Sequence, residues 1–237
     1  MTMNNLTKSL LIPALVAGAF SLQAGDITGS ITLKGTAPKE RDIQPLKDDP
    51  TCGMMHNSTP TTRFYVVGGK GELADVIVSL DGISGKSTGA AAPAVEMDQR
   101  KCVYVPQILA VQTGQKITIK NSDPVLHNIH SQPTVAGNTE ENKAQMPSSA
   151  DLSFTINKAE DFVKFKCDVH PWMFAWVSVF DHPYFAVSAQ DGTFKIANVP
   201  AGKYTLKAAH RKAGSVTKEI EVKDGEPVKI ELSLDAK

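Results

Sequence analysis

Apolar and polar residues alternate with a period of two along most of the chain after residue 25. Short runs of this kind include Ile31–Leu33, Phe64–Val66, Val76–Val78 and Ile117–Ile119, and Gly, Pro, Asn and Asp separate them. No window of ten or more residues combines helical spacing of apolar side chains with capping signals. The pattern therefore predicts an all-β protein with a sandwich fold.

Three segments lack this alternation. Residues 51–62 are rich in Thr, Met and Pro, residues 84–93 in Gly, Ala and Ser, and residues 136–149 are mostly polar. Such composition is typical of connections without regular structure. We expect loops at all three places, the last with at most one helical turn.

The hydrophobic pattern changes beyond Asp181, where Asp191-Gly192 marks a hairpin and two more alternating runs follow. The phrases Asp-Gly-x-Phe-x-Ile and Asn-Val-Pro-Ala-Gly-x-Tyr-x-Leu resemble the later strands of transthyretin-like, or carboxypeptidase regulatory-like, modules. This resemblance implies a small β-sandwich module at residues 183–237. The opening phrases of that family are echoed at Gly29–Gly35 and Ala74–Val78. The segment 25–96 can therefore contribute strands to the C-terminal module.

The first 24 residues are typical of a cleavable export signal. Lys8 precedes the apolar run Leu10–Phe20, and Ala24 offers the small residue that a signal peptidase needs. The run is too short to span a bilayer, and no later stretch is long and apolar enough to do so. We expect cleavage after Ala24 and a mature chain in the periplasm or outside the cell, where disulfides are permitted.

The charge balance excludes some partners. Lys and Arg number 25 and Asp and Glu number 25, and no long run of one sign occurs. A neutral chain of this kind has no field that favours nucleic acid or an anionic membrane. The sequence also lacks a nucleophile elbow, a phosphate-binding glycine loop and a zinc-protease helix. Hydrolysis or group transfer therefore has no visible residues to perform it.

Four residues have the chemistry of a copper site. Cys167, His170 and Met173 lie within seven residues, where a predicted strand with apolar Val163 and Phe165 ends. A thiolate and an imidazole with a weaker thioether form the ligand set of electron-transfer copper sites, which also need a second imidazole. His127, which follows a strand and a turn 40 residues earlier, supplies it.

The phrases His-Asn-x-His and Cys-x2-His-Pro-Trp-Met resemble the amicyanin and plastocyanin branch of the blue copper proteins, the cupredoxins, and bacterial chains labelled methylamine-utilisation-like. The resemblance implies a Greek-key β-sandwich at residues 97–182. It also implies one type 1 copper, and its four ligands correspond here to His127, Cys167, His170 and Met173.

Four neighbours of these ligands are expected to tune or support the site. Asn128 can hydrogen-bond across to the ligand loop or present its amide to the cysteine sulfur. Asp168 departs from the family, in which a small hydroxyl residue often follows the cysteine. Pro171 stiffens the loop, and Trp172 can form part of an apolar docking surface.

The remaining cysteines leave two interpretations open. Cys52 and Cys102 are the natural disulfide pair, because Cys167 is otherwise engaged and export permits the bond. Alternatively, the segment 52–56, with sequence Cys-Gly-Met-Met-His, provides soft donors for a second, Cu(I) site. That alternative leaves Cys102 without a role.

The sequence thus predicts an exported electron carrier and not an enzyme, and it leaves open small-molecule copper chemistry at a position that Met173 would then not fill. The expected partners are redox proteins such as a periplasmic dehydrogenase or a c-type cytochrome. The alternatives are a periplasmic copper-binding and delivery protein, and a non-redox extracellular recognition module with a vestigial copper site.

Overall fold

A computed structural model describes residues 24–237 and places most of them in β-strands. Residues 1–23, nearly all of the predicted export signal, lie outside the described residues. The strands are β1 Gly25–Lys34, β2 Ile77–Asp81, β3 Val95–Arg100, β4 Val103–Val105, β5 Ile108–Gln112, β6 Ile117–Asn121, β7 His127–Gln132, β8 Glu141–Gln145, β9 Leu152–Phe154, β10 Glu160–Lys166, β11 Phe174–Phe180, β12 Phe185–Val187, β13 Thr193–Val199, β14 Gly202–His210, β15 Gly214–Val222 and β16 Val228–Asp235. One short helix, α1 Gln44–Asp48, and the 3-10 turns Gly53–Met55 and Gly89–Ala91 complete the described elements. The all-β prediction is confirmed.

One pair of sheets, which we name the first sandwich, carries the predicted metal ligands. Its sheets have the strand orders β5-β11-β10-β7-β8 and β4-β3-β6-β9. Inward side chains of both sheets share one core that contains Met97, Ile119, Ile129 and Phe165. Strand β10 shows why the sequence folds this way: alternate residues face the core, and the alternation ends at buried Cys167.

The other two sheets form the second sandwich, from strands that lie far apart in the sequence. Their orders are β13-β1-β16 and β12-β2-β14-β15. Strand β1 pairs in parallel with β16, with Ile31 opposite Leu232. Both sheets contribute to a separate core that includes Ile27, Leu80 and Leu206. Elements from both ends of the chain are thus needed to bury one apolar interior.

Two sequence expectations were wrong. Residues 136–149 contain strand β8, which pairs antiparallel with β7 and sets His127 opposite Gln145. Its polar residues suit an edge strand whose pairing, not its apolar content, holds it in the sheet. Conversely, Phe64–Val66 lies outside the named strands, and only Val67 makes an isolated bridge, to Leu73.

The two sandwiches touch through side chains at their facing edges. The rings of Phe180 in β11 and Phe185 in β12 stack with centroids 4.9 Å apart. The Nζ of Lys207 lies 2.9 Å from the Oδ2 of Asp161. Within residues 24–237, no helix has both the length and the apolar character to cross a membrane.

Candidate metal centre

Three predicted ligands converge at one end of the first sandwich. The Nδ1 atoms of His127 and His170 are 2.9 Å apart, and the Sγ of Cys167 lies 3.7 Å from the Nδ1 of His170. All three side chains are buried. Nitrogens at this separation can both reach an ion about 2 Å from each. Two imidazoles and one sulfur therefore form a donor set that suits a soft metal ion.

The fourth predicted ligand belongs to the same loop. Met173 is buried, its N–H donates to the carbonyl of His170 at 2.9 Å, and its own carbonyl accepts from the N–H of Cys167 at 3.1 Å. These two backbone bonds close residues 167–173 into a tight turn between β10 and β11. The turn holds a cysteine, a histidine and a methionine at one strand end, which suits copper.

The sulfur of Cys167 receives hydrogen bonds from the backbone. The N–H groups of Asn128 and His170 point at it from 3.5 and 3.4 Å. Burial raises the pKa of the Cys167 thiol, but a hydrogen bond with His127 and these N–H groups outweigh burial, and the pKa is lowered overall. The surroundings thus favour the thiolate, the form that binds metals.

Asn128 links the two strands that carry the ligands. Its Oδ1 accepts from the N–H of Asp168 at 2.7 Å and lies 3.2 Å from the Sγ of Cys167. The side chain therefore bridges to the ligand loop, and the backbone N–H, not the side-chain amide, points at the sulfur. This arrangement fixes the position of the sulfur relative to β7.

Asp123 is a residue of the site that sequence reasoning missed. Its Oδ2 lies 2.9 Å from the Nε2 of His127 and accepts from the N–H of Cys102 at 2.7 Å, and its Oδ1 accepts from the N–H of Lys101. Its position four residues before His127 was the only sequence signal. A carboxylate that holds the proton at Nε2 leaves Nδ1 free to bind a metal and makes Nδ1 a stronger donor.

The two histidines differ in their electrostatic surroundings. Burial lowers the pKa of His127, but the hydrogen bonds with Asp123 and Cys167 outweigh it, and the pKa is raised. The pKa of His170 is lowered by burial and by the nearby His127. At neutral pH, His170 therefore offers an unprotonated nitrogen, while His127 depends on Asp123 for its tautomer.

A disulfide joins Cys52 to Cys102 directly beside the site. One ring nitrogen of His170 lies within 4.8 Å of both sulfurs. Trp172 holds the disulfide and His170 together, because it contacts both. Its Nε1 donates to the carbonyl of Cys102 at 3.1 Å, and its ring centroid lies 5.2 Å from that of His170. The disulfide removes Cys52 from the alternative Cu(I) set, which sequence reasoning had left open.

Asp168 organises the polar rim of the site. Its Oδ2 accepts from the side-chain amides of Asn128 and Asn142 and lies 2.9 Å from the Nδ1 of His130. The ammonium of Lys166, 2.7 Å away, is the main cause of the strongly lowered pKa of this carboxyl. Asp168 is thus ionised, and the ammonium of Lys166 balances its negative charge. Pro171, which the sequence predicts to stiffen the loop, is exposed.

Comparison with known proteins points to copper for this part of the chain. Residues 91–180 match the family of copper binding proteins described as plastocyanin/azurin. The matched segment includes all four predicted ligands. A comparison with curated proteins found no match.

Comparison with solved structures found matches that each cover less than half of this chain. An amicyanin variant in its Cu(I) form is 24% identical, with a TM-score of 0.33, over 43% of this chain and 97% of its own. A purple cupredoxin from Nitrosopumilus maritimus is 21% identical, with a TM-score of 0.31, over 36% and 98%. A copper-containing nitrite reductase from Thermus scotoductus is 16% identical, with a TM-score of 0.33, over 37% of this chain and 22% of its own.

The family match and the donor chemistry agree, and they concern the same strands. His127, Cys167 and His170 place nitrogen and sulfur donors within 4.8 Å of one another inside the matched segment. Two imidazoles and a thiolate, with a methionine in the same loop, suit copper. Residues 91–180 of this chain are therefore similar to the plastocyanin/azurin family of copper-binding proteins.

Proposed function

We propose that this protein is an exported mononuclear type 1 copper protein that carries single electrons between redox partners. The observation that carries the proposal is the convergence of two imidazole Nδ1 atoms and one cysteine sulfur at a buried strand end. His127, Cys167 and His170 would hold the ion, and Met173 would supply a weaker fourth donor. Copper would supply one-electron redox chemistry at this position.

The chain contributes rigidity, which an electron carrier needs. The loop bonds between Cys167, His170 and Met173 and the bridge from Asn128 restrict ligand movement. A ligand set that moves little suits both Cu(I) and Cu(II), so that little reorganisation accompanies electron transfer. Burial of the ligands keeps water from the centre.

The partners and location belong to the same proposal. We expect a redox protein such as a periplasmic dehydrogenase or a c-type cytochrome to dock at the metal end of the first sandwich. Exposed Leu126 and Val169, each next to a predicted ligand, support an apolar contact there. The second sandwich would be the transthyretin-like module, completed by strands from before residue 97.

The direct test is to reconstitute residues 25–237 with Cu(II) and record visible absorption and electron spin resonance spectra. An intense thiolate-to-copper band with small hyperfine splitting is expected, and Cys167→Ser should abolish it. Met146→Leu is the matched control, since Met146 is an exposed thioether outside the proposed ligand set. An ordinary Cu(II) spectrum in the unaltered chain would contradict the proposal.

Copper delivery is the second candidate, and exposed thioethers favour it. Met54 and Met146 are 81% and 59% exposed. Met54 lies two residues after Cys52, whose disulfide is beside His170. Met146 directly follows Gln145, which pairs with His127. Thioethers bind Cu(I) and could pass the ion to an acceptor. Rapid Cu(I) loss to a soluble chelator, slowed at least fivefold by Met54→Leu with Met146→Leu, would favour delivery, whereas tightly held copper would favour electron transfer.

A further inference from the structure

Three adjoining cavities that share lining residues, which together we name the furrow, extend from the metal loop to the second sandwich. Trp172 and Met173 line its end at the metal loop. Arg63, Gln107 and Phe174 line both this end and the middle part. Beyond them the furrow continues past Phe64 to Lys212 in the second sandwich. The furrow therefore connects the ligand loop with a surface outside the region of the family match.

The floor of the furrow is aromatic. Phe174 follows Met173, and its ring centroid lies 6.4 Å from those of both Phe64 and Trp176. Trp176 is partly exposed. Its exposed face carries the guanidinium of Arg211, whose Cζ lies 3.6 Å from the ring centroid. Aromatic rings of this kind hold cations by their faces.

Positive charge lines the walls. Lys212 Nζ lies 4.2 Å and Arg41 Cζ 5.9 Å from the ring centroid of Phe64. Six exposed cationic side chains line the furrow in all: Lys39, Arg41, Arg63, Arg211, Lys212 and Lys237.

Two carboxylates also line the furrow, and both are engaged. Glu40 accepts from the N–H of Tyr65 at 2.7 Å and from the hydroxyl of Thr62. Asp75 lies 3.9 Å from the guanidinium of Arg63. Positive charge therefore exceeds negative charge along the furrow, although the whole chain is neutral. This local imbalance is invisible in the overall composition.

We propose that the furrow is the docking site for an acidic surface segment of the redox partner. This inference rests on the proposed electron-carrier function and names the partner's chemistry. Carboxylates can bind the guanidinium edges that the aromatic rings leave free, and a basic furrow would speed encounter with an acidic surface. A segment bound here lies beside Trp172 and Met173, and so brings its protein to the metal loop.

The binding test uses a hexaglutamate peptide as probe and the metal-free mature chain, with the fluorescence of Trp172 and Trp176 as readout. The triple variant Arg41→Gln, Arg211→Gln, Lys212→Gln should bind the peptide at least tenfold more weakly than the unaltered chain. The control Lys203→Gln, Lys218→Gln, Lys229→Gln removes three exposed cations from other parts of the second sandwich and should bind normally. Circular dichroism checks that both variants fold.

The outcomes separate this inference from the copper proposal, because the peptide assay needs no metal. Equal peptide affinity in both triple variants would overturn the docking site, whatever the copper spectrum shows. Competition by free glutamate at the same carboxylate concentration would assign the furrow to small anions and would also overturn it. Loss of peptide binding in the first variant alone would support it.

A kinetic test extends the inference to the copper-loaded chain. The reduced protein should lose at least fivefold in its rate of oxidation by hexacyanoferrate(III) in the first triple variant, since that oxidant is anionic. Its oxidation by cationic tris(phenanthroline)cobalt(III) should not slow. Equal slowing by both oxidants would show a changed copper site and would count against a docking role.

Discussion

Among residues 24–237, two pairs of histidines are buried, one in the first sandwich and one in or next to the second, but only the first pair resembles a metal site. In the first sandwich, the Nδ1 atoms of His127 and His170 face each other and a sulfur. In the second pair, the Nδ1 of His182, which lies in the connection between β11 and β12, accepts from the N–H of Tyr184, and that of His210, the last residue of β14, accepts from the N–H of Ala213. The second pair serves the local backbone. A buried imidazole is therefore a ligand candidate only where its free nitrogen meets other donors.

The largest contrast should come from removing one histidine of each pair. His127→Gln should abolish the intense visible band of the copper-loaded protein and weaken copper binding at least 100-fold, since an imidazole donor is lost. His182→Gln should leave the band and the affinity unchanged. Absorption spectra and Cu(II) titration against a competing chelator measure both. A loss of the band or of copper affinity in the His182 variant would show that this histidine also contributes to copper binding.

Removal of the disulfide is expected to lower the free energy of unfolding of the first sandwich, in which it lies, more than that of the second. Cys52 and Cys102 lie 50 residues apart, and closing a loop of this length stabilises the fold by about 4 kcal/mol in the chain-entropy model. The double variant Cys52→Ala, Cys102→Ala should lower the free energy of unfolding of the first sandwich by about that amount. Urea unfolding followed by Trp172 fluorescence measures it. An unchanged midpoint would show that packing alone keeps positions 52 and 102, both buried, beside His170.

Acid should act on the second pair through His210. Burial lowers its pKa to about 4, from a usual value of 6.5. As the pH falls, the unfolded chain binds this proton first, so stability present above about pH 6.5 is lost between about 6.5 and 4, by about 3 kcal/mol. Urea unfolding at several pH values measures the slope. His210→Gln should flatten that slope, and an equally steep slope in the variant would assign the effect to other groups.

The smallest effect concerns the carboxylate behind His127. Asp123→Asn should weaken copper binding 10- to 100-fold, because the ring loses its charged partner and the single amide oxygen of Asn can accept from the N–H of only one of Lys101 and Cys102, which donate to different oxygens of the carboxylate. Asp191→Asn is the matched control, since Asp191 also accepts a backbone N–H but lies in an exposed hairpin. Equal copper affinities in the two variants would show that Asp123 only supports the fold.

Sequence patterns predicted the fold class and the disulfide, but some elements escaped them. Strand β8 was missed because an edge strand needs few apolar residues when a neighbour supplies the pairing. Phe64–Val66 was predicted as a strand, but Phe64 instead packs beside the ring of Phe174. Alternation thus identified buried strands well and could not identify elements whose place depends on a partner.

The sequence by itself determined the chemistry of the candidate site, because donor types and their spacing in residues 167–173 are local properties. Only the tertiary structure decided which groups approach from elsewhere: Asp123 behind His127, the disulfide beside His170, and Arg211 over Trp176. Such contacts join residues that are distant in sequence or lie across a turn. Their energies depend on distance and burial, which the folding of both sandwiches sets and no residue spacing reveals.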